Sequence, residues 1–345
     1  NNRLLNSYRQ NSLRSRKLKN IQADIKSGNF KQVYLLYGEE AYLKQQYKQN
    51  LVKALNPDGD TMNFNHYEGK GIDVKQLIDL CETMPFFAER RVVLLEDTGF
   101  FKNKCEELAD YMKELPDYLY LVFAETEVDK RNRMYKAVKA CGSIAEFIRQ
   151  DEKTLMRWAA GILGKAGKKI TQRDMELLLT KTGTDMGNLR MEMEKLISYT
   201  EGRDVVTAED IEEICTTQTT NRIFDMVRAV TEKNQKRALE LYYDLLTLKE
   251  PPMRILFLLA KQYRQLLLAK QFAAAGLAQT EIASKLGVPG FVVKNITTCA
   301  RAYTISELEQ AVKDFVDAEE SVKTGRLEDK LSVELLIIKY SSKVK

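Results

Sequence analysis

One histidine, one tryptophan and six prolines stand among 345 residues, and these scarcities exclude chemistry before any motif is weighed. A lone imidazole, His66, cannot assemble a histidine metal centre and is a poor basis for histidine-driven catalysis. It sits in NFNHYEG, whose alternation reads as a strand and gives it a structural place. The five cysteines (Cys81, Cys105, Cys141, Cys215 and Cys299) lie far apart without a CxxC pair. That spacing offers no zinc site and fits reduced thiols in the cytoplasm. No metal and no cofactor is expected. No apolar run approaches the roughly 20 residues of a membrane span, so no membrane partner is expected either. Sparse glycine and proline leave helix as the dominant element.

What is present is an ordinary soluble composition, 44% hydrophobic and 30% charged, in a chain long enough for two or three domains. The net charge of +5 is unevenly placed. Arg3, Arg9, Arg14, Arg16, Lys17 and Lys19 crowd the start without one acid, and setting these six aside leaves −1. Any nucleic-acid footprint must therefore be local. Residues 1–17 read as a disordered basic extension or a cloning remnant, and their Arg- and Ser-rich, acid-free composition also resembles an organellar presequence.

From residue 30 onward strands and helices alternate. FKQVYLLYG (30–38) reads as a buried strand, followed by a helix over 41–55. A strand, a glycine and a helix in that order is the place for a phosphate-binding loop, GxxxxGK[ST]. There backbone amides cradle phosphates, a lysine meets them and a hydroxyl holds magnesium. Gly38 and Lys44 stand at the right separation, but Leu43 replaces the second glycine and Gln45 replaces the hydroxyl. Glu39 and Glu40 would also meet a polyanion with like charge. As an ATP site the loop is broken. Further strands are expected near 62–67, 92–95, 118–124 and 145–148, with helices over 73–84, 104–115 and 129–140 between them. Residues 18–150 then form an α/β domain, a parallel sheet with crossover helices. Glu96 and Asp97 read as ordinary strand-end carboxylates.

The stretch the chain is organised around is CETMPFFAERRVVLLED, residues 81–97. Val74, Leu77, Ile78 and Cys81 form one helical stripe upstream, with Asp73 as its cap. Pro85 ends that helix near Met84, because it lacks an amide hydrogen and pushes its predecessor out of helical geometry. Phe86 and Phe87 follow before the strand begins. Two adjacent phenylalanines on a turn cannot easily both point inward. Either they roof the core under the strand, or they form an aromatic plug offered to a partner's pocket.

After residue 150 the pattern is all helical. Leu155, Trp158, Ala159 and Ile162 mark one helix (152–165); Thr171 with Asp174 and Thr207 with Asp210 are capping-box starts of two more, with another over 185–199 between them. These make a small bundle, 151–215. TTQTTN (216–221) reads as a polar linker into a second helical domain, 216–345. Within that domain QTEIASKLGVPGFVVKNITTCARA (279–302) has helix–turn–helix spacing. A base-reading helix should open with Arg, Lys, Asn or Gln, whereas this one opens with Phe291, Val292 and Val293, a packing surface.

Five segments in order, YLLYGEEAYL (34–43), MPFFAERRVVLLED (84–97), DKRNRMYKAVK (129–139), NRIFDMVRAV (221–230) and VKTGRLEDKLSVELLIIK (322–339), resemble the delta-subunit family of bacterial DNA polymerase III, part of the clamp-loader complex. The resemblance runs from about residue 18 to the end of the chain. It implies an AAA+-like α/β domain, a three-helix lid and a helical collar, and a subunit that neither binds nor hydrolyses ATP and has no catalysis of its own. It implies partners: gamma or tau and delta-prime subunits joined in a hetero-oligomeric ring through their collars, the beta sliding clamp that delta opens, and primed DNA. By the family's motif the clamp contact is Phe86 and Phe87, flanked by Met84 and Pro85, and the plug reading gains accordingly. Two rivals remain at this stage: an active AAA+ ATPase, opposed by Leu43 and Gln45, and a helix-turn-helix DNA-binding regulator, opposed by residues 291–293.

Overall fold

The computed structural model describes residues 20–217 and 219–342, so the basic stretch 1–17 lies outside the described residues. The chain divides into two compact units, one up to Gln150 and one from Asp151 onward.

The first unit is a five-stranded, wholly parallel sheet in the order β2-β3-β4-β1-β5. Its strands are β1 (Val33–Tyr37), β2 (Phe64–Glu68), β3 (Arg91–Glu96), β4 (Leu119–Glu125) and β5 (Ser143–Glu146). The two-residue period of a strand sorts β1 between two cores. Val33, Leu35 and Tyr37 join Leu77, Cys81, Val93, Leu95, Phe123 and Val138 on one face. Tyr34 and Leu36 join Ile21, Leu51, Leu55, Leu94, Val122 and Phe147 on the other. Helices cover both faces: α1 (20–27) and α2 (Ala41–Leu55) supply the second core, α3 (Val74–Glu82), α4 (Glu106–Tyr111) and α5 (Arg133–Cys141) the first. Burial on two sides is why β1, β3 and β4 read as unbroken apolar runs.

Several ends shift from the sequence expectation. The strand expected at 145–148 runs from Ser143 to Glu146, and α4 is shorter than 104–115. The basic segment turns helical only at Arg133, because the Asn132 side chain caps the helix by accepting from the Met134 amide at 2.8 Å.

In the second unit α6 (Glu152–Lys165), α7 (Gln172–Thr182), α8 (Met186–Tyr199) and α9 (Ala208–Ile214) form the small bundle. The expectation of an all-helical bundle is corrected by a parallel pair of two-residue strands, β6 (Lys169–Ile170) and β7 (Val205–Val206), too short to leave a sequence pattern. The cap at Thr207 is a full reciprocal box with Asp210. Nor is 216–221 a linker throughout: α10 (Thr219–Thr231) begins inside it. The remaining helices, α11 (Gln235–Thr247), α12 (Pro252–Ala274), α13 (Gln279–Leu286), α14 (Gly290–Ala300), α15 (Ile305–Lys323) and α16 (Asp329–Ser341), share one core. In it α12 contributes Ile255, Leu256, Leu259, Tyr263 and Leu266.

The start of α15 carries a capping box: Thr304 Oγ1 accepts from the Glu307 amide at 3.1 Å, and Glu307 returns an acceptor to the Thr304 amide at 2.6 Å. Thr304→Ala is expected to destabilise the chain by about 1 kcal/mol, read as an earlier denaturant midpoint with unchanged slope. Hydrogen bonds from the Thr304 amide and hydroxyl hold the Glu307 carboxyl below its ordinary value. Its share of the cap is therefore present above the ordinary carboxylate pKa and lost as pH falls through the lowered one.

Candidate functional site

Two places in the first unit carry the residues singled out in the sequence, and they differ in character. The first is the loop after β1. Gly38 donates its amide to the Glu125 carbonyl at 3.4 Å, and Lys44 donates Nζ to the same oxygen at 2.9 Å. Burial lowers the Lys44 pKa, against the pull of Asp97, Glu125 and Glu96. Leu43, in the second glycine's position, packs on the core beneath α2. Gln45 lines a groove of about 600 Å³ with Lys48, His66 and Glu96. In that groove the Glu96 carboxylate accepts from Lys48 Nζ at 2.7 and 2.8 Å and lies 2.9 Å from His66 Nε2. Glu125 is buried and accepts from the Thr98 amide and hydroxyl at 3.1 and 2.6 Å; burial raises its pKa. Asp97 accepts from the Thr126 amide and hydroxyl. The lysine and the strand-end acids are thus committed to the protein's own groups.

The second place is the loop between α3 and β3. The helix stops at Glu82, just ahead of the expected end near Met84, and Thr83 is already extended. The carbonyls that a helix end leaves orphaned find partners: Tyr118 Oη donates to Glu82 O at 2.8 Å, and Arg91 donates Nε to Thr83 O at 2.8 Å and Nη2 to Met84 O at 3.2 Å. Phe86 is held by the side-chain amide of Asn63, which accepts from its N–H at 2.6 Å and donates to its carbonyl at 2.8 Å. On the far side the Arg90 guanidinium lies over the rings of Phe30 and Tyr120, 5.2 and 5.4 Å from their centroids. Phe87 takes φ +48°, a left-handed conformation that bulky residues rarely adopt.

On this pinned backbone the apolar side chains point to solvent. Phe87 is 95% exposed, Met84 75% and Phe86 57%, with Pro85 half-buried. The two rings meet edge to face, centroids 4.5 Å apart. Neither ring roofs the core. The sequence named all four apolar residues but missed Asn63, Arg90 and Arg91 as their supports. A polar side chain reaching from another element leaves no periodic signal.

The helix-turn-helix candidate is a packing element. Gly287, left-handed at φ 65°, ends α13. Val293, Ile296, Cys299 and Ala300 of α14 all join the core of the second unit. Among the described residues no group of acids, histidines or cysteines could hold a metal, and no helix is long and apolar enough to cross a membrane.

A wholly parallel five-stranded α/β frame followed by helical bundles is the AAA+-like class of fold. Models of the DNA polymerase III delta subunit and of its C-terminal domain match residues 34–147 and 220–340, and the chain belongs to that family. It is a clamp-loader component and a non-catalytic subunit of the polymerase holoenzyme. It is 26% identical over 331 residues to DNA polymerase III subunit delta of Bacillus subtilis, covering 92% of this chain and 95% of that one. To the probable delta subunit of Aquifex aeolicus it is 22% identical over 276 residues, covering 76% of this chain and 77% of that one. The solved clamp loader delta protein of Bacillus subtilis matches in fold with a TM-score of 0.64 at 24% identity, over 94% of this chain and 99% of that one.

Proposed function

We propose that this chain binds and opens the beta sliding clamp so that the ring can be loaded onto primed DNA. The observation that carries the reading is the pair Phe86 and Phe87, exposed side by side on a loop whose backbone is pinned from three sides. Inserted into an apolar pocket near a clamp interface, each ring contributes about 1.5–3 kcal/mol. Binding opens the ring only to the extent that it favours the sprung conformation over the closed one. Met84 and Pro85 flank the contact.

The chain itself neither binds nor hydrolyses ATP; gamma or tau subunits hold the nucleotide and, with delta-prime, complete a hetero-oligomeric ring in the cytoplasm. In that assembly residues 18–150 are the AAA+-like domain, 151–215 the lid and 216–345 the collar. A stripe on α16, Leu331, Leu335 and Ile338, stands exposed at i, i+4 and i+7 and supports a partner contact through the collar. DNA contact is electrostatic, through lysines and arginines facing the ring's interior.

The test is binding of the full chain to the sliding clamp of its own species by surface plasmon resonance, with retention of radiolabelled ATP measured alongside. Saturable clamp binding without nucleotide supports the reading; no clamp binding sinks it. Leu43→Gly/Gln45→Thr, which restores the motif's spacing, is still expected to retain no ATP, because Lys44 and the acids around it keep their present partners. Retention of ATP by that variant would show that only those two residues had closed the site.

A further inference from the structure

We infer that Asn63 is the positioning residue of the aromatic plug: its side-chain amide sets the loop in its binding conformation before any partner arrives. The inference rests on the plug reading of Phe86 and Phe87. Asn63 lies just before β2, is only 4% exposed, and reaches across to a loop 23 residues further on. Its amide pairs with Phe86 as a neighbouring strand would, one bond to the N–H and one from the carbonyl, while its own carbonyl accepts from the Val92 amide at 2.9 Å. The orientation of the amide is not free. Nδ2 also donates to the Asp60 carboxylate at 2.5 Å, so Oδ1 must be the atom turned to the Phe86 N–H. Asp60 is in turn tied to Asn56 beyond the end of α2 by two bonds of 2.9 and 3.0 Å. Hydrogen bonds thus run from the Asn56 side chain, just past α2, through the backbone and carboxylate of Asp60 and the Asn63 amide to the backbone of the plug.

The consequence is seen one residue on. With Phe86 fixed on both its polar atoms, the backbone turns at Phe87 through a positive φ, and that turn aims the ring into solvent. Left-handed geometry in a phenylalanine persists only where the surroundings over-determine it. Here the two bonds from Asn63 do so. Without them Phe87 relaxes to ordinary φ, the ring swings away, and only a fraction of molecules present the plug. A partner then meets a lower effective concentration of the competent form, which appears in the association rate.

The experiment compares the full-length wild type, Asn63→Ala, Asn63→Asp and Phe86→Ala/Phe87→Ala on immobilised beta sliding clamp, with amide hydrogen exchange on the free proteins. Asn63→Ala is expected to lower the association rate about tenfold with dissociation within about twofold, and to lose protection at the Phe86 amide. Asn63→Asp keeps the acceptor but turns a carboxylate oxygen towards the Asp60 carboxylate and the Phe86 carbonyl, and is expected to lose association at least as much as Asn63→Ala. Wild-type association by Asn63→Ala, or a loss confined to dissociation, overturns the inference. If the double phenylalanine variant binds like the wild type, the plug reading has failed and this inference with it. If that variant loses binding while Asn63→Ala keeps it, only the role of Asn63 has failed. Should Asn63→Ala not fold, the wild-type exchange decides: a Phe86 amide protected in the free chain supports the inference, and one exchanging as in an unstructured peptide overturns it.

Discussion

Phe86→Ala/Phe87→Ala is expected to weaken binding to the sliding clamp about a thousandfold while the chain keeps its fold. Two aromatic rings that go from solvent into an apolar pocket account for about 4 kcal/mol at a conservative value for each, and every 1.4 kcal/mol or so is a factor of ten in affinity. The folded state has little to lose. Phe87 is 95% and Phe86 57% exposed, neither belongs to a core cluster, and their removal opens no cavity. Stability should change by less than about 1 kcal/mol, as for other surface substitutions. That separation is the point of the measurement, because a core phenylalanine cut to alanine costs about 3–5 kcal/mol of stability. Phe101→Ala, a fully buried ring packed on Phe123 at 5.2 Å, is the control for that behaviour. Circular dichroism and a thermal melt accompany the binding curves. A folded double variant that binds like the wild type places the contact elsewhere on the chain, and a wild type that does not bind removes the clamp from the account.

Much of this architecture can be read before any coordinates, and the reasons are physical. Wherever side chains repeat with the period of the element, the pattern is written along the chain: α2 and α6 fall on the residues expected, and β1, buried on both faces, shows as a continuous apolar run. Caps are legible for the same reason, since Asp73, Thr171 and Thr207 act on amides two or three residues away. The sequence also marks the loop at Phe86 and Phe87, because a helix-ending proline followed by two phenylalanines leaves rings that cannot easily both point inward. Whether the rings face inward or outward is a tertiary question, bound up with long-range bonds such as those from Asn63, just before β2, and from Arg91 of β3, and no local rule contains it. The two-residue strands β6 and β7 escape because two residues have no period. Gly38 is the subtler case. Its place after a strand suggests a relic of a phosphate loop, yet its immediate reason for being glycine is a contact with a residue more than a hundred positions away.

That contact yields the second large expected effect: Gly38→Ala should destabilise the first unit by about 3 kcal/mol and lower its melting temperature by about 10 °C. Gly38 has φ +126°, a region that residues with a side chain avoid. A Cβ built there would lie 2.1 Å from the carbonyl oxygen of Phe147. The oxygen cannot yield, because the segment is fastened on both sides: Phe147 donates its amide to Tyr37 O at 2.7 Å and accepts from the Glu40 amide at 3.1 Å. Phe147 is itself 1% exposed in the core that includes Leu36 and Leu51. Moving it to admit a methyl group would disturb the β1–β5 edge and the start of α2 together. Gly28→Ala separates the two contributions, since Gly28 has φ +75° with nothing within 4 Å of its would-be Cβ and should cost only the backbone strain, about 1 kcal/mol. A clear gap between the two variants assigns the glycine after β1 to close packing against Phe147. Equal losses would mean that the close approach is not what holds glycine at this position, and inheritance from a phosphate-binding loop would then be the better account.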